Sequence, residues 1–521
     1  MKTMKIIKSL ADLIEQRLTK YSDKPAFHCL GKTLTFAEID QKSYALAVWL
    51  QQHSGLQQGD RIVIQLPNFI QYPIAAYGAL RAGLVLVNTN PAYTTREMQH
   101  QFKDSGAKAI IILADLYPKL AEIQSETDIQ QVIITQATDL LSPAQKTQTP
   151  EGTHQLLDIL NRPSNTALAP RKNQSLEDVC VLQYTGGTTG VSKGAMLTNG
   201  NIISNTEQTS PRLGFDPQVG NEIFVCPLPL YHIYAFTVNM VMLACNGNMN
   251  ILIPNPRDLN GFINAIKPFR FTGFAGLNTL FIGLCSHPEF HKLDFSGLKV
   301  TISGGTALTS SAADLWMKVT GCSIAEGYGL SETSPVLCMN EPGQEVMGTV
   351  GLPLPDTIIK FIDAHGDDTT QGEEGELVAS GPQIMKGYWQ RLDETAKCMT
   401  ADGFFRTGDI GMALPTGHIK IVDRLKDMII VSGFNVYPNE VEQIITDHPN
   451  VLEAAVIGEP CDHSGEKVCA YITLKDDISE AELITYCRDY LTGYKVPKKI
   501  VVVDELPKST VGKILRRELR K

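Results

Sequence analysis

The run YTGGTTGVSKG (184–194) is the segment best equipped to hold an anion. Its glycines let the backbone wrap closely round phosphate oxygens, while the Thr and Ser hydroxyls and Lys193 supply donors. A Walker A loop needs Gly-Lys followed at once by Ser or Thr. Here Lys193 follows Ser192 and precedes Gly194, which argues against kinase or GTPase chemistry. Taken alone, the run also suits a flexible turn after the strand-like VCVLQ. His232, in PLYH (229–232), titrates near physiological pH and could move a proton, or it could simply pack. Lys513 opens the basic tail KILRRELRK, and a charge run by itself usually faces water. Gly433 in VSGFNVYP could do no more than supply a positive φ. Small residues in TGFAGLNTLFIGL (272–284) fit either an alkyl tunnel or close helix packing.

The elements that must position these groups alternate in type. IVIQL (62–66), a helical PIAAYGALRAG, LVLVN, a helix from about Thr95 and AKAIIIL (107–113) follow one another. Such alternation predicts βαβ units and a mainly parallel sheet. Residues 136–176 read as a polar surface connection with a short helix around His154–Leu160. Alternation resumes at VCVLQYTGG and runs past residue 330. Between 350 and 425, short strands such as IIKFIDAHG, GELVASGP and GHIKIVDR predict an antiparallel, barrel-like section. Beyond DRLKD the chain reads as a compact α+β unit, with helices from Pro438 and Ser479. Ser479 and Glu482 form a capping box for the second of these. Asp423 reads as a turn residue before the boundary placed near Lys426, giving domains 1–425 and 426–521.

The 521 residues exceed one ordinary core, and a net charge of −10 leaves no basic footprint for nucleic acid. Eleven scattered cysteines, without CxxC pairs or zinc spacing, suit reduced thiols in a cytoplasmic protein. No run reaches the ~20 apolar residues of a membrane span. Ile6, Ile7, Leu10, Leu13, Ile14 and Leu18 predict an amphipathic N-terminal helix that packs on the body, with membrane contact as the alternative.

In order along the chain stand YTGGTTGVSKG, PLYH, SGGTAL (303–308), EGYGLSET (326–333), TGD (407–409), DRLKDMIIVSGFNVYPNE (423–440) and PKSTVGK (507–513). This ordered set resembles the adenylate-forming superfamily of acyl-CoA synthetases, luciferases and peptide-synthetase adenylation domains, over essentially the whole chain. VNTNPAYTTREMQHQFKDSGAK, DRLKDMIIVSGFNVYPNEVE and LTGYKVPK are most similar to bacterial long-chain fatty acid–CoA ligases. Ser331 departs from the usual Thr but keeps the hydroxyl. The resemblance implies a large α/β domain of two mainly parallel sheets flanked by helices plus a distorted antiparallel barrel, and a small mobile α+β C-terminal domain.

It also implies ATP, coenzyme A and a fatty acid as substrates, with Mg²⁺ held by Glu332. Thr185, Gly186, Gly187, Thr188, Thr189, Gly190 and Lys193 would cradle phosphates. Gly304, Gly305, Thr306, Tyr328, Gly329 and Ser331 would border the nucleotide, with Asp409 and Arg424 at the ribose. Lys513 would stabilise charge as the carboxylate meets the α-phosphate, His232 would guard the acyl end, and Thr185 and Glu332 join them in catalysis. Lys426 would be the hinge, and Ser432, Gly433 and Phe434 would flank coenzyme A. A homodimer and peripheral contact with the inner face of a membrane are compatible with this reading. The rivals are a medium-chain or aryl ligase, a carrier-loading acyl-AMP ligase, a luciferase, and a non-catalytic nucleotide- or acyl-binding protein.

Overall fold

The computed structural model describes residues 6–141, 149–162, 166–185, 192–215, 219–461, 463–509 and 512–520. Val-, Ile- and Leu-rich runs without alternation form strands buried on both faces, as expected where helices cover both sides of a parallel sheet. One sheet has seven strands, in the order His154–Gln155, Gln131–Thr135, Ala109–Leu113, Arg61–Gln65, Val85–Asn88, Val179–Thr185 and Lys193–Thr198. All neighbours run parallel except the last pair, a hairpin in which Thr185 lies opposite Lys193. The strands on either side of the glycine-rich run are therefore an antiparallel pair at a sheet edge. A Walker A loop would lead from a strand into a helix.

The second sheet has nine strands, ordered Leu352–Pro353, Val336–Met339, Ile324–Gly329, Val300–Gly304, Gly273–Gly276, Ile223–Cys226, Met249–Leu252, Pro25–Cys29 and Lys32–Thr35. Its interior is parallel and both margins are antiparallel. The helices Phe36–His53 and Gln71–Arg81 pack against each other in the largest apolar cluster. Behind the strand Gly273–Gly276, Phe262, Phe271, Phe274, Phe281, Phe290 and Trp316 form a dense aromatic core. A Cβ at Gly273 would overlap the Phe224 ring, and one at Gly276 would stand 2.7 Å from the Phe281 ring. Those two small residues serve close packing.

An antiparallel meander follows, ordered Ile358–Ile362, Gly375–Ser380, Phe405–Ala413 and Ile419–Arg424. Its last strand meets the 350–351 segment through Val350 N–H to Ile419 O and Ile419 N–H to Gly351 O, each 2.8 Å. The C-terminal α+β unit is a five-stranded sheet carrying the helices Pro438–Asp447 and Glu480–Tyr490, with its own apolar cluster. The Ser479–Glu482 capping box is present.

The N-terminal helix spans Leu10–Lys20. Leu10, Leu13, Ile14 and Leu18 are buried against the body, whereas Ile6 stays exposed. Arg171 holds it through Asp12 at 2.8 Å and Glu15 at 2.9 Å. VNMVMLAC belongs mainly to a buried π-helix, Phe236–Leu243. No helix among the described residues is long and apolar enough to cross a membrane. All eleven cysteines are free, and most are buried.

Candidate active site

In open α/β sheets, ligands bind at the carboxyl ends of parallel strands. Here the ends of Val300–Gly304 and Ile324–Gly329, and the turn after Ile223–Cys226, face the hairpin end of the seven-stranded sheet. Gln183 Nε2 donates to Tyr231 O at 3.1 Å across that seam. Gly186, Gly187, Thr188, Thr189 and Gly190 lie outside the described residues. The flanks of the loop are well defined. Tyr184 OH donates to Asp104 Oδ2 at 2.7 Å, and Arg391 pairs with the other oxygen of that carboxylate at 2.6 Å.

Glu332 lies in the 3₁₀ turn Ser331–Thr333 and is only 8% exposed. Its Oε1 accepts from Tyr388 OH at 2.8 Å and, more weakly, from Thr185 Oγ1 at 3.4 Å. Lys193 pairs with Glu394 and lies 5.2 Å from the Tyr388 ring centre. Lys193 and Lys397 together hold the Glu394 carboxyl down at about 2.

Of the residues expected to border a nucleotide, Tyr328, Asp409 and Arg424 come together. Tyr328 OH donates to Asp409 Oδ2 at 2.6 Å, and Arg424 Nε approaches Asp409 Oδ1 at 3.4 Å. Burial, and then Asp409, raises the Tyr328 hydroxyl well above its ordinary range, so it remains a donor. A Cβ at Gly329 would overlap the Pro335 carbonyl, which restricts that position to glycine. Gly304 ends the adjoining strand and Gly305 follows it, and the Tyr234 ring would lie 3.2 Å from a Cβ at Gly304. Thr306 Oγ1 is buried without a partner, which suits a ligand-facing hydroxyl. Glu326 accepts from Leu308 N–H at 3.0 Å beneath this loop, and burial pushes its carboxyl up to about 8.

His232 caps the short helix Ile233–Ala235, its Nδ1 accepting from Tyr234 N–H at 3.3 Å. Burial, with the nearby Lys513 charge, pushes its imidazole down to about 4, so the ring is neutral at pH 7. The Lys513 ammonium is itself pushed down to about 7, first by burial and then by Arg424, with Asp409 acting in the opposite sense. A Cβ at Gly512 would lie 3.0 Å from Thr279 Oγ1, so the C-terminal loop is docked on the large unit. Lys513 thus joins His232, Asp409 and Arg424 in one place.

Not every residue singled out in the sequence lies there. Ser432 and Gly433 turn the hairpin Ile429–Val431/Phe434–Val436 with φ of +51° and +83°. Phe434 is 56% exposed and stacks on Tyr494 at 4.9 Å. These contacts stay within the C-terminal unit. Lys426 is exposed in the turn after Arg424. Asp423 corrects the turn reading. It is 1% exposed in the strand Ile419–Arg424, accepts from Asn439 N–H at 2.7 Å and pairs with Arg516 at 3.3 Å. Arg516 also binds Glu442 at 2.7 Å, fastening the tail that carries Lys513.

Tyr388 and Glu394 were missed because no local pattern marks them, whereas Asp104, Glu326 and Arg516 lie inside runs singled out in the sequence but carry no local sign of these partners. The one available signal was GYW (387–389), an aromatic pair after glycine. Among the described residues no group of three or more His, Cys, Asp or Glu could hold a metal. One buried carboxylate beside Thr185 fits a cation that takes most ligands from phosphates and water, as Mg²⁺ does. The cleft as a whole offers hydroxyls, Lys193, Arg424 and Lys513 to a polyanion.

Residues 14–389 match the AMP-binding enzyme family, and residues 440–513 match the AMP-binding enzyme C-terminal domain. The chain is 43% identical over 528 residues to a long-chain-fatty-acid–CoA ligase of Escherichia coli O157:H7, covering 98% of this chain and 94% of that protein. ATP-bound MatB from Rhodopseudomonas palustris superposes with a TM-score of 0.87 at 28% identity, covering 99% of this chain and 98% of that one. Apo MatB from the same organism, at 29% identity and the same coverage, gives 0.77.

Proposed function

This chain belongs to the AMP-binding enzyme family, and on that premise we propose that it ligates a long-chain fatty acid to coenzyme A. The observation that carries this reading is the likeness to long-chain-fatty-acid–CoA ligases, which spans 98% of the chain. The acid's carboxylate oxygen attacks the α-phosphorus of ATP, and the bond to pyrophosphate breaks. The coenzyme A thiolate then attacks the acyl carbon of the adenylate, and AMP leaves. Activation is needed because a thiolate cannot expel oxide from a carboxylate. The first step joins two anions, so preorganised positive charge and donors dominate it.

Within this scheme Lys513 stabilises the charge between carboxylate and α-phosphate, and its docking beside His232 and Asp409 supports that role. Thr185, Lys193 and the glycine-rich loop between them hold the phosphates. Gly304, Gly305, Thr306, Tyr328, Gly329 and Ser331 border the nucleotide, and Asp409 takes the ribose with Arg424. Tyr328 and Arg424 already orient that carboxylate. Neutral His232 places the acyl end. Glu332 holds Mg²⁺, which when bound neutralises polyphosphate charge.

Rotation of the 426–521 domain about Lys426 then withdraws Lys513 and brings Ser432, Gly433 and Phe434 to the pantetheine path. The higher TM-score against ATP-bound than apo MatB supports assigning the present arrangement to adenylation. We place the enzyme in the cytoplasm; peripheral contact with the inner face of the membrane and pairing into a homodimer are compatible with that reading. Sedimentation, and partition of the protein with and without liposomes, test these assignments.

Mass spectrometry of products from Mg-ATP, coenzyme A and acids of graded length tests the whole. Acyl-CoA and AMP from long chains are expected. Acyl-AMP without thioester would indicate carrier loading, and preference for aryl or shorter acids would replace the substrate while keeping the mechanism. No turnover would return the chain to a binding role.

A further inference from the structure

Glu332 is a buried carboxylate, and such a group needs donors in the fold. Both hydroxyls that reach it, Tyr388 OH at 2.8 Å and Thr185 Oγ1 at 3.4 Å, fall on Oε1. Among the described residues Oε2 accepts no hydrogen bond, so one oxygen is tethered and the other is open to a ligand. Tyr388 supplies the stronger tether. Its own place is fixed by backbone. The 385–389 segment runs along the strand Lys193–Thr198, with Lys386 N–H to Met196 O at 3.0 Å, Met196 N–H to Gly387 O at 2.9 Å and Trp389 N–H to Gly194 O at 2.8 Å. Tyr388 N–H donates to Thr395 Oγ1 at 2.9 Å. The same segment grips the Glu332 main chain, through Met385 N–H to Glu332 O at 2.8 Å.

The ring has a second duty. Lys193 and Glu332 are opposite charges at one site, and a direct pair would cancel both. Lys193 instead lies over the Tyr388 ring at 5.2 Å and pairs with Glu394.

We propose that Tyr388 is a positioning residue for metal-dependent adenylation: its hydroxyl aims Glu332 Oε2 at the divalent cation, and its ring keeps Lys193 from neutralising that carboxylate. This rests on the reading of Glu332 as the metal ligand. Tyr388→Phe removes the hydroxyl and keeps the ring. A hydrogen bond to a charged group of this kind translates to about a tenfold change in affinity. Mn²⁺ titration followed by electron paramagnetic resonance, with a non-hydrolysable ATP analogue present, should show Mn²⁺ binding about tenfold weaker in Tyr388→Phe. The Mg²⁺ needed for half-maximal ATP–pyrophosphate exchange should rise in parallel, while the KM for fatty acid stays unchanged. Glu332→Gln is the control. If Glu332→Gln leaves Mn²⁺ affinity intact, the metal assignment itself falls. If Glu332→Gln weakens Mn²⁺ and Tyr388→Phe does not, the role of Tyr388 alone is overturned. A Tyr388→Phe protein that fails to fold would assign the hydroxyl to the fold, and would also overturn the proposal.

Discussion

Burial first, and then Arg424, Lys426 and Arg516 with Asp409 as the main offset, hold the Lys513 ammonium at about 7. The lowered value means that the free enzyme loses this charge as pH rises through 7. Bound triphosphate and carboxylate restore the charged form, so ligand binding should take up a proton at pH 8 and almost none at pH 6. Calorimetry in buffers of different ionisation heat measures that uptake, and Lys513→Ala should abolish it. The same substitution should remove adenylation but spare thioester formation from supplied acyl-AMP; equal loss of both would reject the two-pose assignment. Lys513, Tyr328 and Asp409 were legible because their motifs carry them. Tyr388 and Glu394 were not, since each acts on a residue far away in sequence, Glu332 and Lys193 respectively. Asp423 misled because an Asp before Arg reads as turn chemistry, whereas its carboxylate is spent inside the fold on Asn439 and Arg516.

Element by element, hydrophobic runs, caps and turn residues gave the strands and helices, including the helices at Thr95, Pro438 and Ser479. What those local signals could not give was partner order. A run such as VLVN (85–88) carries no mark of lying between 61–65 and 179–185. The hairpin bearing Gly433 offers a test at this scale. Nothing lies within 4 Å of a Cβ there, so Gly433→Ala adds no clash and costs only about 1–2 kcal/mol of left-handed backbone strain. Adenylation should therefore persist while thioester formation falls, as read by single-turnover assays of each half-reaction. Loss of neither would leave Gly433 as a turn residue only. The 272–284 segment illustrates the reverse ambiguity, since small residues there are equally the signature of a tunnel and of rings packed on glycine, as at Gly273 and Gly276.

Across the whole molecule, the tail that presents Lys513 is secured by the Arg516 pairs to Asp423 and Glu442, which bridge the meander and the C-terminal unit. Removing one partner of a buried pair costs about 3–5 kcal/mol, because the other charge is left uncompensated. Arg516→Met should lower denaturant stability of the C-terminal unit and slow adenylation more than thioester formation; equal effects would make the pair structural alone. The broad architecture was legible as two-domain α/β, but the interleaving of its sheets was not. Pro25–Cys29 is an interior strand of the nine-stranded sheet, yet its parallel neighbour is Met249–Leu252, and the whole seven-stranded sheet lies between them in sequence. On a ribosome adding about 5–20 residues per second, the first strand waits roughly 10 to 40 s for that neighbour. The nascent chain thus exposes an apolar strand edge until translation is about half complete, and this enzyme should depend on chaperone cover at its N-terminus over that interval.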